Sequence, residues 1–375
     1  MTSTLYKNEI IKRGFFEYLR NAKRFSDKTI DCYEKAIWQW EDFSNKANLS
    51  NFNKTEAEKF KNWLKNKKKA KSQEKISLSY CYDILRYLRV FFDWLSKQKG
   101  YKRKIDSLAI DYLHLTREET QIATQPREVE TPTLEEIKTL IENIKGKSEV
   151  DIRDKALLSL FSLTGARISA VRTLSMKCFN REKLILYQDP KLKVETKHSK
   201  RIVSPLISCF YKESLTYFLE WFDYLEKQRN FKSDAPIFPM SKIENGEENL
   251  SYYNTGQVEP VFWKNSSSLR NIIKKRFEQA GIRYYHPHTF RHWFIKKIME
   301  LPLTEVQQKA ISQSVGHEDI RTTFGSYGYG KIDENRQVEI IRGIDFEGQS
   351  KETKLSLNEE TIEQLAEKIK RKMKE

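Results

Sequence analysis

The chain has 375 residues, 38% of them hydrophobic and 12% aromatic, which is enough to bury real cores and excludes a broadly disordered protein. At roughly 150 residues per domain, that length suggests two domains with room for a tail. A formal net charge of +16 points to a polyanionic partner, of which nucleic acid is the commonest, and no basic amphipathic helix dominates the chain to favour a membrane surface.

Residues 8–100 read as one helix after another. Ser26 is placed to cap a helix whose apolar face holds Ile30, Tyr33, Ile37, Trp40 and Phe43 at three- and four-residue steps. Thr55 starts a short helix carrying Phe60, Trp63 and Leu64. Ser79 opens another with Tyr82, Leu85, Leu88, Phe92 and Leu95, ended by Gly100. The basic run Lys65–Asn66–Lys67–Lys68–Lys69–Ala70–Lys71 suits either a solvated loop or contact with phosphates. Residues 1–112 are therefore expected to form a helical domain. Residues 113–130 are polar, lack an apolar face and read as an interdomain linker.

Thr131–Pro132–Thr133–Leu134–Glu135–Glu136 carries the cap, proline and early acids of a helix start, and Ile137, Leu140 and Ile141 form its buried stripe. The next helix runs through Ala156, Leu157, Leu160 and Leu163 to Gly165. Segments 183–188 and 201–206 are short, rich in branched residues, and flank a basic hairpin, LKVETKHSK, so they are strand candidates. The remainder of a second domain, 131–345, reads as helical apart from a polar insertion at 237–265. In the tail, 346–375, Ser356 and Glu359 make a capping box, and Ile362, Leu365, Ala366, Ile369 and Met373 share one face.

Four cysteines, Cys32, Cys81, Cys178 and Cys209, include no close pair, so neither a zinc-ligand spacing nor a disulfide framework is present. The N-terminus has no apolar signal core, and no run approaches a membrane span. A reduced, cytoplasmic setting is expected, on the nucleoid if the partner is DNA.

The side chains that could do chemistry crowd into 286–329: His286, His288, Arg291 and His292, then Gly316–His317, then Tyr327 and Tyr329. Arg167 follows a sharp Thr164–Gly165–Ala166 turn, and a lysine-rich hairpin lies between the two groups. Paired arginines can grip the non-bridging oxygens of a phosphodiester and neutralise charge that builds in a pentavalent transition state. A tyrosine hydroxyl, with a free pKa near 10, needs such a cationic setting or a base to attack at neutral pH. A lysine can protonate a leaving 5′ oxygen, and histidines can move protons. A zinc site from His286, His288 and His292 is disfavoured, because residues two apart do not share a helix face and no Cys or catalytic Glu stands in register. No Gly-rich phosphate loop and no regular acidic cluster point to an ATP-driven enzyme or a two-metal nuclease.

These residues resemble the tyrosine site-specific recombinase (phage integrase) family. "TGARISAVRTL" is similar to its first-arginine box and places Arg167; "HTFRH" resembles its His-x-x-Arg box and places His288 and Arg291. "SVGHEDIRTTFGSYG" resembles its Gly-His box and nucleophile segment, placing His317 and Tyr327. "KHSKRIVSP" is similar to its lysine hairpin, with Lys197 matching best by its offset to Pro205 and Lys200 second. Three departures stand out. Ala170 replaces a common acid, Tyr327 lies ten residues after His317, one more than is common, and Tyr329 sits close to Tyr327.

The resemblance covers about 130–345. It implies a mainly α fold with a small antiparallel sheet, in which a helical core-binding domain and a catalytic domain form a C-shaped DNA clamp. It implies site-specific recombination or integration by a mobile-element enzyme. Strands would be cut and rejoined through a 3′-phosphotyrosyl intermediate, without metal or cofactor. The implied partners are double-stranded DNA target sites in a homotetramer, with accessory DNA-bending or directionality proteins. The alternatives are DNA relaxation like that of a type IB topoisomerase and a catalytically silent DNA-binding protein.

Overall fold

Apolar residues at helical spacing in the N-terminal third assemble as α1 (Ser3–Asn21), α2 (Asp27–Phe43), α3 (Lys54–Asn66) and α4 (Leu78–Ser96), and the short α5 (Arg117–Thr124) follows. The structure, a computed structural model, describes residues 3–70, 72–125, 129–245, 252–317, 323 and 338, and it divides the chain into two units, Met1–Arg127 and Glu128–Glu375. The first unit closes over an aromatic-rich core. Phe52 and Phe92 stack with ring centroids 3.8 Å apart, and Trp40 stands edge-on to Phe92 at 5.0 Å. Such pairs add orientation to simple area burial.

The helix starts differ in detail from expectation. Ser26 holds the N-cap position of α2, but its hydroxyl bonds Thr29 rather than a helix N–H. Asn53, not Thr55, caps α3 by accepting from the Glu56 N–H at 3.0 Å. Ser77, not Ser79, caps α4 by accepting from Tyr80 N–H. A cap works only where the backbone is extended and the side-chain oxygen can fold back onto the first turn, and that depends on where the incoming chain bends. Helix α4 ends at Ser96, and Gly100, with φ +88°, makes a later turn.

Part of the stretch read as a linker is built into this unit. Thr116 and Glu119 form a capping box at the start of α5, Lys65 pairs with Glu119 at 2.8 Å, and Ala123 is buried. With one buried residue, α5 has too thin an apolar stripe to be legible as a pattern.

The second unit carries α6 (Leu134–Glu142), α7 (Glu149–Thr164), α8 (Ile168–Val171), α9 (Glu213–Asp223), α10 (Ser266–Gln279), α11 (Pro287–Met299) and α12 (Glu305–Ser314). Its sheet runs β1 (Phe179–Asn180), β2 (Ile185–Gln188), β3 (Ile202–Pro205), antiparallel throughout, with Ile185 opposite Pro205 and Gln188 opposite Ile202. Helix α7 is buried from Ala156 to its end at Thr164, after a partly buried first turn. It even encloses charge: Arg153 is bonded to Asp154 at 2.7 Å, and Arg276 reaches Asp154 and Asp151 at 2.8 Å each. Buried charges persist when paired and hydrogen-bonded in this way.

The expected irregular insertion at 237–265 is instead a second antiparallel hairpin, β4 (Met240–Asn245) and β5 (Tyr252–Glu259). It is fastened to α7, where the Glu149 carboxylate accepts from Val258 N–H at 2.7 Å and Arg153 donates to Ser241 Oγ at 2.9 Å. Ile243 and Tyr253 remain exposed, so the hairpin shows neither a continuous apolar run nor clean alternation in sequence. The architecture is mainly α with small antiparallel sheets, as the sequence implied. The tail and its capping box lie outside the described residues.

Candidate active site

Helix α7 ends at Gly165, whose backbone is left-handed with φ +57° and ψ 25°. A side chain there would be strained, and its Cβ would lie 2.9 Å from Phe294 Cδ1. The turn delivers half-buried Arg167 to the N-cap of α8. At the start of α11, His286 accepts from His288 N–H at 3.2 Å with Pro287 in the first turn. Helical spacing then sets His288, Arg291 and His292 on neighbouring faces; the rings of His288 and His292 meet edge-on with centroids 4.9 Å apart. After α12, Gly316 turns the chain with φ +78°, and His317 N–H returns to Ser312 O at 2.9 Å. A Cβ on Gly316 would collide with Ile202 of β3 and would lie 3.7 Å from Arg167 Nη1. The Gly-His turn is therefore packed between the sheet and the first arginine.

Arg291 is only 2% exposed. Its Nη1 donates to Gly165 O at 3.0 Å, and its Nη2 donates to Val315 O and to His317 Nε2, the latter at 2.8 Å. One guanidinium thus joins the end of α7 to the end of α12. A guanidinium cannot accept, so His317 Nε2 is the bare nitrogen and the proton sits on Nδ1. That proton faces Thr323 Oγ1 at 2.8 Å, and Thr323 meets Ser312 Oγ at 2.8 Å. Burial first, then the charges of Arg291, Arg167 and Lys200, push His317 down to about 3. Desolvation, His292, Arg291 and Arg167 push His288 down to about 4. His292 falls to about 4 through burial and Arg291. All three imidazoles are neutral at physiological pH and resist taking up a proton.

The fold thus gathers Arg167, His288, Arg291 and His317 from α8, α11 and the turn after α12. Lys200, half-buried two residues before β3, is close enough for its charge to act on His317. Lys197 lies on the same β2–β3 connection with an exposed side chain. Tyr327 and Tyr329 lie outside the described residues. Ala170 is buried in the apolar core, so the place of the common acid is filled by packing. Thr323 and Ser312, which stand behind His317, were not singled out in the sequence, where each reads as an ordinary polar residue. In the first unit the basic run is largely paired within the protein: Lys65 with Glu119, Lys67 with Asp42 at 2.5 Å and Lys69 with Glu74 at 2.6 Å. Among the described residues, no group of three His, Cys, Asp or Glu side chains is arranged to hold a metal ion.

Comparison with known proteins matches the model of the phage integrase family over residues 131–329 and that of the phage integrase N-terminal SAM-like domain over 12–100. Tyrosine recombinase XerD of Oceanobacillus iheyensis is 25% identical over 326 residues, spanning 82% of this chain and 90% of its own. Tyrosine recombinase XerC of Natranaerobius thermophilus is 24% identical over 353 residues, spanning 89% and 97%. Among solved structures, the Tn1549 transposon integrase in complex with transposon right end DNA aligns with a TM-score of 0.57 at 14% identity, covering 88% of this chain and 98% of that one. A lambda integrase dimer bound to a COC′ core site gives 0.55 at 14% identity, covering 87% and 99%. At those identities the structural likeness speaks for the fold.

Proposed function

The chain belongs to the phage integrase family and is a tyrosine-type site-specific DNA recombinase, and from that premise we propose which of its residues carry the reaction. Recombination cuts and rejoins DNA strands through a 3′-phosphotyrosyl link, which conserves the energy of the broken bond. Neither DNA relaxation nor silent binding finds support in the relatives.

Tyr327 attacks the scissile phosphorus. Arg167 and Arg291 hold the non-bridging oxygens and stabilise the charge of the pentavalent transition state. Arg291 spends three donors on Gly165 O, Val315 O and His317 Nε2, so it shapes the pocket as well as lending charge. His288, neutral and close to the arginines, hydrogen-bonds the phosphate, and His317, with Nε2 on Arg291 and Nδ1 on Thr323, holds the Arg291 guanidinium in place. The hairpin lysine protonates the departing 5′ oxygen. Lys197 is the assignment by its match to the family's box, and Lys200 is the second candidate by its closeness to His317.

The observation that carries this reading is the convergence of Arg167, Arg291, His317 and Lys200 around Gly316 from segments distant in the chain. Groups scattered in sequence and drawn together around one point suit a single phosphate better than independent structural roles.

The partner is double-stranded DNA. The N-terminal helical part, 1–112, would serve as the core-binding domain, and 131–345 as the catalytic domain. Strand exchange joins two duplexes, so a DNA-bound homotetramer is the working assembly, acting in the cytoplasm at the nucleoid to integrate a mobile element. A nicked suicide substrate, which loses its 5′ end on cleavage, tests the nucleophile. The covalent adduct should map to Tyr327 and vanish in Tyr327→Phe. An adduct on Tyr329, or one that persists in Tyr327→Phe, overturns the assignment.

A further inference from the structure

The connection between β2 and β3, which bears both candidate lysines, is fastened at two places. At its mouth, the Asp189 carboxylate accepts from Lys191 N–H at 2.9 Å and pairs with Arg201 at 3.1 Å. Further along, after buried Val194, Glu195 is held through main chain and side chain together. Its N–H donates to Thr173 Oγ1 at 2.8 Å, and its carboxylate pairs with the guanidinium of Arg172. Arg172 is itself fixed, with its side chain 11% exposed and its Nη1 donating to Trp263 O at 2.6 Å and Lys264 O at 3.2 Å.

Arg172 and Thr173 close the short helix α8 that Arg167 begins. The lysine loop is therefore pinned to the same turn that presents the first arginine. Glu195 stands two residues before Lys197 and five before Lys200. Between those lysines the backbone takes a path that L residues rarely adopt, with φ +60° at His198 and +51° at Ser199. Neither residue is glycine, so local preference does not set this path; it depends on the ends being held.

We propose that Glu195, acting through Arg172 and Thr173, is the positioning residue that keeps the loop's lysine at the leaving 5′ oxygen. The inference rests on the reading of a hairpin lysine as proton donor. In that step the Tyr327 oxygen bonds to phosphorus and the P–O5′ bond breaks. The lysine ammonium passes a proton to the departing oxygen, and the phenol's proton goes to water. Proton transfer requires hydrogen-bond reach. A loop that loses its pin loses that transfer, while the grip of Arg167 and Arg291 on the phosphate survives.

The test uses the full-length protein and two nicked substrates, one with the ordinary 5′ bridging oxygen and one with sulfur in its place. A thiolate leaves without proton help because a thiol is far more acidic than an alcohol. Glu195 is half exposed, so Glu195→Ala leaves the fold standing; Thr173→Val is the second variant. Each should slow single-turnover cleavage of the oxygen substrate on the order of 10-fold and cleave the sulfur substrate at near the wild-type rate. Equal slowing on both substrates, or no slowing on either, overturns the proposal. Lys197→Ala and Lys200→Ala are measured alongside. If neither lysine variant shows an oxygen-only defect, the proton-donor reading falls and takes this inference with it. If one does while Glu195→Ala does not, only the pin falls.

Discussion

Replacing Arg291 by alanine separates structure from chemistry in this site. The side chain is 2% exposed and donates to Gly165 O, Val315 O and His317 Nε2. Its removal leaves three buried acceptors without their donor, each costing about 1–3 kcal/mol if nothing replaces it. Water entering the vacated space recovers part of this, so the expected loss is about 3–5 kcal/mol, the range for breaking a buried charged contact. In a unit spanning Glu128–Glu375 each kcal/mol moves the melting temperature roughly 2–4 °C, which gives a fall of about 6–20 °C. Arg291→Lys keeps the charge but cannot reach three acceptors at once, so it should recover only part of that fall. Arg167→Ala, at a half-buried N-cap, should cost a fraction of it. Both alanine variants should lose on the order of 10²-fold or more in cleavage of bound DNA. Thermal unfolding by circular dichroism and single-turnover cleavage at saturating protein measure the two effects separately. A wild-type melting temperature for Arg291→Ala would refute the bridging role of the guanidinium. Loss of DNA binding in both variants, with no separate defect in cleavage, would make the arginines phosphate anchors.

The remaining predictions concern pH, salt and assembly. The folded protein holds His317 near 3, well below its ordinary unfolded value of about 6.5, so it resists a proton that the unfolded chain accepts. The stability this group contributes is complete above about pH 6.5 and is lost as pH falls toward 3, amounting to up to about 2 kcal/mol at pH 5 for the DNA-free protein. Melts of wild type and His317→Asn at pH 7 and 5 should show the larger drop in wild type; equal drops would mean His317 does not titrate as described. With a net charge of +16, DNA affinity should fall steeply with salt, each phosphate contact adding about −0.9 to the log–log slope; a nearly flat titration would count against a DNA-gripping surface. Deleting residues 352–375, with their amphipathic pattern, should leave single-site binding intact and weaken tetramer assembly on paired sites; wild-type sedimentation of the truncated protein would dismiss that role for the tail.

Much of the first unit and of the site was legible because its signals are local. Apolar residues three and four apart announced α2, α3 and α4, since that spacing alone places them on one buried stripe. The boxes around Arg167, Arg291 and His317 were legible for a related reason. Each is a short segment: a turn glycine stands beside the functional side chain in Thr164–Gly165–Ala166–Arg167 and Gly316–His317, and a proline-started helix turn carries His288 and Arg291. The β4–β5 hairpin and α5 were not legible. What holds them is the Glu149 carboxylate, 109 residues from Val258, and the Lys65–Glu119 pair, 54 residues apart, with little apolar pattern of their own. The choice of Ser77 over Ser79 as a cap likewise turned on where the chain bends into α4.

By itself the sequence determined which residue types are candidates to meet a phosphate and in which short segments they lie, because turn chemistry and helical period act over a few residues. Only the tertiary structure decided the state in which they meet. The proton on His317 sits on Nδ1 because Arg291, 26 residues away, occupies Nε2. The lysine loop has its place because Glu195 N–H finds Thr173, 22 residues back. Charge state and reach are set by burial and by partners distant along the chain, and no local pattern encodes either.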